Sequence, residues 1–322
     1  MIINTTEAYA ISHEPGIVLY NAQHERLACE WATKFTRETG IKVIIRNGSD
    51  TELSNQIIQE GSYSPADVFI TENSPAMALV DSYGLFERLP LSILNQVKPN
   101  YRPSHGRWIG IAARSTVFVY NKNRLQKDNL PKSLDELGKP SWKGRWAASP
   151  TGADFQAIVS AMLELKGESA TLAWLRMMKA NSLSYKGNST VMKAVNSGQV
   201  DGGVIYHYYY FVDQSKTGEN SNNSALHYFN GKDSGAFISV SGGGILKSSK
   251  NKEKAQKFLK WVTSNSGQDI LKNGNSYEYT VGINSQSNPK LVPLNELNSP
   301  KIDMRKLNSR KVVELMMCAG LL

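Results

Sequence analysis

A chain of 322 residues that is 40% hydrophobic and 20% charged is long enough for roughly two domains, each able to bury a core without metal or disulfide staples. Its two cysteines, Cys29 and Cys318, stand near opposite ends and outside any C-x-x-C pair, which excludes thiolate zinc sites and redox dithiols; they read as two small buried hydrophobes. The net charge of +9 is dispersed, and its densest stretches, 251–262 and 304–315, carry apolar residues at helical spacing, so they read as solvated helix faces and not as a nucleic-acid footprint.

No apolar run approaches the roughly 18 residues that a membrane helix needs, and a soluble chain is expected. Behind Met1 there is no apolar core of a secretory signal, although Ala8-Tyr9-Ala10 has the A-x-A shape of a cleavage site. That motif reads either as chance or as the remnant of an export signal.

From residue 16 one theme repeats: a short apolar run, a polar or glycine-bearing turn, then an amphipathic helix. Residues 17–20 predict a strand, followed by a helix with Leu27, Trp31 and Phe35 on one stripe that ends near Gly40. A strand is predicted over 41–45, a helix near 51–60 carrying Leu53, Ile57 and Ile58, and a strand over 66–70. Ser74 reads as an N-cap with Pro75 at the first helical position. The stretch 107–121 is unusually long for one strand and suited to pass between two lobes, as is 237–246. A second series follows: a strand over 144–149, a turn through Thr151 and Gly152, a helix with Phe155, Val159 and Met162, a Trp174-bearing helix, a helix around 189–197 and a strand over 202–206. Strands alternating with helices imply crossover units and largely parallel sheets, hence two α/β lobes.

In such sheets ligands bind beyond the carboxyl ends of strands, which directs attention to the residues just after each one. Those positions hold His24; Glu72 and Asn73; Thr151, Gly152 and Ala153; and the run YHYYYF at 206–211. Several adjacent phenols are hard to satisfy inside a core, so the tyrosines face a wet cleft or hold something. An aromatic wall stacking on a sugar or an organic cation is one reading. The other is a hard, highly charged cation held by phenols, a carboxylate and an imidazole. Deprotonating a phenol of pKa near 10 costs about 4 kcal/mol at pH 7, which a trivalent ion offsets far better than a divalent one. Two phenolates and a carboxylate carry three negative charges, the match for Fe³⁺, and with a neutral imidazole these four donors leave about two octahedral positions for an exogenous anion. The turn at Thr151-Gly152-Ala153 and the helix start at Asn188 are candidate anion cradles, or plain helix caps.

Enzymatic signatures are lacking. His24-Glu25 is followed by Ala28 where a zincin has its second histidine, no G-x-S-x-G elbow or P-loop occurs, and Gly242-Gly243-Gly244 alone is weak evidence for phosphate binding.

The strings LYNAQHE, SPADVFITENSPAM, PSWKGRWAASPTGADFQA, YKGNSTVMKAVNSGQV and GVIYHYYYFVD resemble the periplasmic ferric-ion-binding proteins of bacterial iron ABC transporters, from about residue 15 to the C-terminus. The resemblance implies an α/β fold of two lobes, the type II periplasmic binding architecture, with a mixed, mostly parallel sheet in each and hinge strands between them. Residues 15–112 with 238–289 are expected in one lobe and 113–237 with 290–322 in the other. It also implies His24, Glu72, Tyr208 and Tyr209 as ligands of Fe³⁺, and Thr151, Gly152, Ala153 and Asn188 as the seat of a synergistic anion, carbonate or phosphate. Tyr206, Asn73 and the segment 229–237 depart from the family pattern. The implied role is a monomeric, non-enzymatic periplasmic receptor that delivers iron to an inner-membrane permease and its ATPase. A binding protein for an organic solute, such as a sugar phosphate or polyamine, is the alternative.

Overall fold

Two α/β halves share one long strand. The structure, a computed structural model, describes residues 16–322; the Ala8-Tyr9-Ala10 motif lies outside them. The first half runs β1 (Ile17–Asn21), α1 (Glu25–Thr39), β2 (Val43–Asn47), α2 (Asp50–Glu60), β3 (Val68–Ile70), α3 (Ser74–Ser82) and the short α4 (Leu91–Leu94). After β4 (Trp108–Asn121), the second half follows with β5 (Trp146–Ala148), α5 (Ala153–Asn181), β6 (Ser182–Ser184), α6 (Asn188–Asn196), β7 (Gly202–Tyr206), α7 (His207–Lys216) and β8 (Ser224–His227). The chain then returns through β9 (Ile238–Ile245), α8 (Lys252–Thr263), α9 (Asn265–Asn273) and α10 (Ser309–Cys318).

The strand order is β2-β1-β3-β9-β4-β7-β5-β6, with β8 on β4 off this path. Parallel pairs form the centre of each half, β2-β1-β3 in the first and β7-β5-β6 in the second, and β4, β8 and β9 supply the antiparallel ones. The long strand serves both halves: residues 108–115 of β4 pair with β9, and residues 116–120 pair with β7. Immediately before β9, the Phe237 carbonyl accepts the Thr116 N–H at 3.2 Å, so the second expected crossing runs beside the first.

The predicted apolar stripes are what the halves bury. Trp31 and Phe35 of α1 are fully buried, and Phe35 meets Phe258 of α8 edge-on at 5.1 Å. In the second half Phe155 stacks on Trp174, which also packs beside Trp146. Residues 290–322, expected wholly in the second half, divide their contacts. Met304 and Leu307 pack with Tyr20, Phe69 and Met77 of the first half, whereas Asn308 N–H bonds the Ser160 hydroxyl and α10 lies on α5.

Some expectations are corrected. Cys29 and Cys318 are exposed, because Cys29 falls off the Leu27-Trp31-Phe35 stripe and Cys318 ends α10. Helix α3 starts at Ser74 with Asn73 as its N-cap residue; the Ser74 hydroxyl donates instead to the Val240 carbonyl at 2.7 Å and ties the helix to β9. Gly242, Gly243 and Gly244 lie within β9, where they serve packing. A Cβ would stand 2.4 Å from Met77 Cγ at Gly242 and 2.7 Å from Phe86 Cδ1 at Gly244, so these glycines let side chains of the first half close on the strand. Among the described residues no helix is long and apolar enough to cross a membrane.

At the register shift in β4, Gly110 faces backbone: a Cβ there would stand 2.3 Å from the Tyr101 carbonyl oxygen. Backbone yields less readily than a side chain. Gly110→Ala is therefore expected to cost about 1–3 kcal/mol in urea unfolding, the usual range for overpacking; a change under about 0.5 kcal/mol would show that the strand gives way there.

Candidate metal centre

The side chains that matter stand where β-strands end and helices begin. His24 is the N-cap residue of α1 but its ring makes no cap hydrogen bond, which leaves it free for other work. Glu72 lies between β3 and α3. The tyrosines do not form a loop: Tyr206 closes β7, and Tyr208 and Tyr209 lie in the first turn of α7. The run alternates in role as the helix turns. His207 points into the protein, where its Nδ1 accepts the Ser115 N–H at 3.2 Å and its Nε2 donates to the Tyr277 carbonyl at 2.8 Å. Burial pushes its pKa down to about 3, so it is a neutral structural imidazole. Tyr208 and Tyr209 stack at 4.3 Å and turn their hydroxyls to the interface between the halves, and Tyr210 packs edge-on against Phe211 instead.

Across that interface the four expected ligands come together. Tyr208 OH donates to Glu72 Oε1 at 3.2 Å, and His24 Nε2, which has no hydrogen-bond partner, lies 3.7 Å from the same oxygen. Tyr209 joins through a carboxylate that sequence reasoning missed. Asp154 Oδ2 accepts Tyr209 OH at 3.2 Å, Tyr208 OH at 3.4 Å and Asn188 Nδ2 at 2.8 Å. Ligands about 2.1 Å from one ion sit about 3 Å apart when adjacent in an octahedron, so this spacing is close to what a single ion needs. Among the described residues no trio of His, Cys, Asp and Glu is arranged to hold a metal, and any donor set here has to include the phenols.

The residues expected as an anion seat lie at and just before the starts of α5 and α6. Asn188 points into the centre, but its amide is bonded to Asp154. Thr151 is exposed, and the Gly152 N–H already donates to the Ser149 carbonyl at 3.0 Å. Ala153, the first residue of α5, brings Asp154 immediately behind it into the place facing the phenols. Two of the three departures from the family pattern meet near the same carboxylate. Asn73 Nδ2 donates to Asp154 Oδ1 at 3.1 Å, while Asn73 Oδ1 accepts Tyr206 OH at 3.1 Å and the Ser239 hydroxyl at 2.9 Å. Asp154 could have been found as a carboxylate directly after a Gly-Ala helix start. Arg114 stands out as a charge inside an apolar strand, whereas Glu278, which it pairs with at 3.0 Å, leaves no sequence signal.

Crowded acids hold their protons. Burial, with the nearby Glu72 charge adding to it, pushes Asp154 up to about 7 and Asp50, which accepts the Glu72 and Asn73 N–H groups, up to about 8. Burial also raises Glu72, against the pull of Arg114. It raises the phenols of Tyr208 and Tyr209 far above the usual tyrosine range, with Asp154 and Glu72 adding to the effect. His24 is held below its ordinary value by burial and is neutral at pH 7. The cluster is proton-rich and hard, and only a strongly charged cation displaces protons from such donors.

Comparisons with known proteins give the family and the fold. Residues 64–306 match the family described as bacterial extracellular solute-binding protein. The chain is 67% identical over 315 residues to the Fe(3+)-binding periplasmic protein of Serratia marcescens, covering 98% of this chain and 93% of that one. It is 35% identical to the major ferric iron-binding protein of Neisseria meningitidis serogroup A, covering 92% and 89%. In structure it is similar to iron-bound HitA from Pseudomonas aeruginosa, with a TM-score of 0.89 and 40% identity over 95% of this chain and all of that one. A Trichodesmium protein in complex with iron and citrate ligands also matches, with a TM-score of 0.81 and 25% identity, covering 95% and 100%. The shared strand, the two halves and the matched sequence together establish that this chain belongs to the bacterial extracellular solute-binding protein family.

Proposed function

We propose that this protein captures ferric iron between its two halves in the periplasm and delivers it, as a monomer, to an inner-membrane permease driven by an ATPase. The observation that carries the reading is the meeting of two phenols, an unpartnered imidazole nitrogen and two carboxylates at one point between the halves. The names of the relatives support the cargo and the compartment.

In this reading His24 and Glu72 of the first half and Tyr208 and Tyr209 of the second hold the iron. Asp154 supplies a further oxygen where the resemblance placed an exogenous carbonate or phosphate, with Asn188 and Asn73 fixing its orientation. Lobe closure is then a hinge motion about β4 and β9, because the donors belong to opposite sides and iron bridges them. The bodies that move are those expected from the sequence, with the Met304–Leu307 contact as an extra tie to the first half.

Ferric loading is expected to produce a visible phenolate-to-iron absorption band, and replacing Tyr208 and Tyr209 together by Phe to abolish it. A band that survives the double substitution sinks the assignment.

Protons and iron compete for the same oxygens. Each phenol is raised and Asp154 sits near 7, so loading at pH 7 releases about two phenolic protons per iron plus a fraction from Asp154, and affinity falls as the pH is lowered. Calorimetric titration in buffers of different ionisation enthalpy counts these protons, and a count near zero excludes phenolate ligation. In the iron-free protein the sign for Asp154 is fixed by its folded pKa lying above its ordinary 3.8. Its stabilising contribution is complete below about pH 4 and is lost as the pH rises through about 7, so Asp154→Asn is expected to flatten the melting temperature across that window.

With Asp154 in the anion's place, iron affinity in the unaltered protein is expected to be the same with and without carbonate or phosphate. In Asp154→Asn it becomes dependent on them. Affinity of the unaltered protein that rises with added anion returns the seat to an exogenous ligand.

A further inference from the structure

Arg114 is fully buried on β4, where the strand leaves the first half for the second. All of its polar contacts lead to the metal centre. Nη1 donates to the Glu72 carbonyl oxygen and lies 3.9 Å from Glu72 Oε1. Nη2 donates to Gln23 Oε1 at 2.7 Å and faces Glu278 Oε2 at 3.0 Å. That same Gln23 oxygen accepts the His24 N–H at 2.7 Å. On its open face the guanidinium carbon lies 5.6 Å from the centre of the Tyr208 ring. One side chain thus reaches the backbone of Glu72 directly, the backbone of His24 through a single amide oxygen, and the ring of Tyr208 by charge. Glu278 holds it in turn: this carboxylate is also fully buried, accepts from Gln23 Nε2 at 3.2 Å, and keeps Oε1 without a partner, 3.8 Å from His24 Nε2.

We propose that Arg114, held by Glu278, is a positioning residue that sets three iron donors from the hinge strand and tunes the bond between Tyr208 and iron. The inference rests on the ferric reading above. A planar fork suits the task, because it bonds the Glu72 carbonyl, Gln23 and Glu278 at fixed angles while leaving its face to an aromatic ring, which a lysine cannot do. Outer partners of this kind orient ligands and tune the metal. The charge also has a signature. The visible band moves an electron from the phenolate ring toward iron, and a cation over that ring stabilises the electron where it starts, which raises the transition energy.

The test compares Arg114→Gln, Glu278→Gln and the double variant, each loaded with ferric iron. Arg114→Gln removes the cation and is expected to move the band to longer wavelength. Glu278→Gln removes the counter-charge and is expected to move it to shorter wavelength, and the double variant returns it close to the unaltered position. Each single variant is expected to lose about 10–100-fold in iron affinity, the usual cost of an outer partner. Weaker binding with an unmoved band, or shifts of the same sign, overturns the proposal and leaves the pair a purely structural role. If Arg114→Gln does not fold, the sign of the Glu278→Gln shift decides alone. An unaltered protein that binds iron without a visible band refutes the tyrosine assignment itself, and this inference with it.

Discussion

Carboxylates cannot be packed together inside a protein unless something positive stands among them. Here Asp50, Glu72, Asp154 and Glu278 are gathered around a single guanidinium, with two phenols on the opposite wall. Arg114 answers for one of these acids fully, its 3.0 Å pair with Glu278, and for Glu72 at longer range. Protons answer for the rest, which is why Asp154 and Asp50 titrate near neutrality. The same shortage of positive charge suits the place to a trivalent ion and is the basis of the pH dependence expected of iron capture. Phenols and amides also join the halves by hydrogen bonds to these acids and to Asn73.

The fold supplies this crowding by making one strand common to both halves. β4 pairs with β9 at one end and β7 at the other, so a residue at its middle belongs to neither half alone. Arg114 occupies that middle. The proposed donors ride instead on strand ends and helix starts: His24 before α1, Glu72 before α3, Asp154 in the first turn of α5, Tyr208 and Tyr209 in that of α7. These positions are held by aromatic cores on either side, such as Phe35 against Phe258 and Phe155 against Trp174, which do not take part in binding. A hinge can therefore change the distance between donor sets without disturbing either set internally, which is the mechanical requirement for a clamp that has to let go.

Most of the architecture was legible because it rests on periodicity. The 3.6-residue stripe of Leu27, Trp31 and Phe35, the apolar run 107–121 and the strand-to-helix alternation each correspond to a described element. Strand β2 slipped by two residues from its expected place because its register is set by β1, with Ile17 opposite Val43, and not by its own hydrophobicity. The tyrosine run, His24 and Glu72 stood out as chemistry at strand ends, and only the family resemblance singled out Tyr208 and Tyr209 within the run. Asp154, Gln23 and Glu278 were not, since a single polar residue near a helix start or in an irregular segment looks like any cap or solvent contact until the chain is folded. The cysteines misled for the opposite reason: composition says such residues are usually buried, while helical phase places Cys29 outside.

Two of the departures from the family pattern, Asn73 and Tyr206, gain a reason when taken with Asp154. Singly, Asn73 and Tyr206 are unexplained substitutions. In the fold, Tyr206 and Ser239 saturate the Asn73 carbonyl oxygen, which leaves its amide no choice but to donate to Asp154 Oδ1. That bond turns Oδ2 toward Tyr208, Tyr209 and Asn188. An internal carboxylate so oriented gives up no translational freedom when iron arrives, unlike an anion recruited from solution. It also brings a permanent acid into an already crowded site, and that acid has to be kept protonated or neutralised whenever iron is gone. A free anion can leave with its charge; Asp154 cannot. In the proposed reading the chain exchanges dependence on a dissolved co-ligand for dependence on pH, and the bond from Asn73, itself fixed by Tyr206, orients the carboxylate for it.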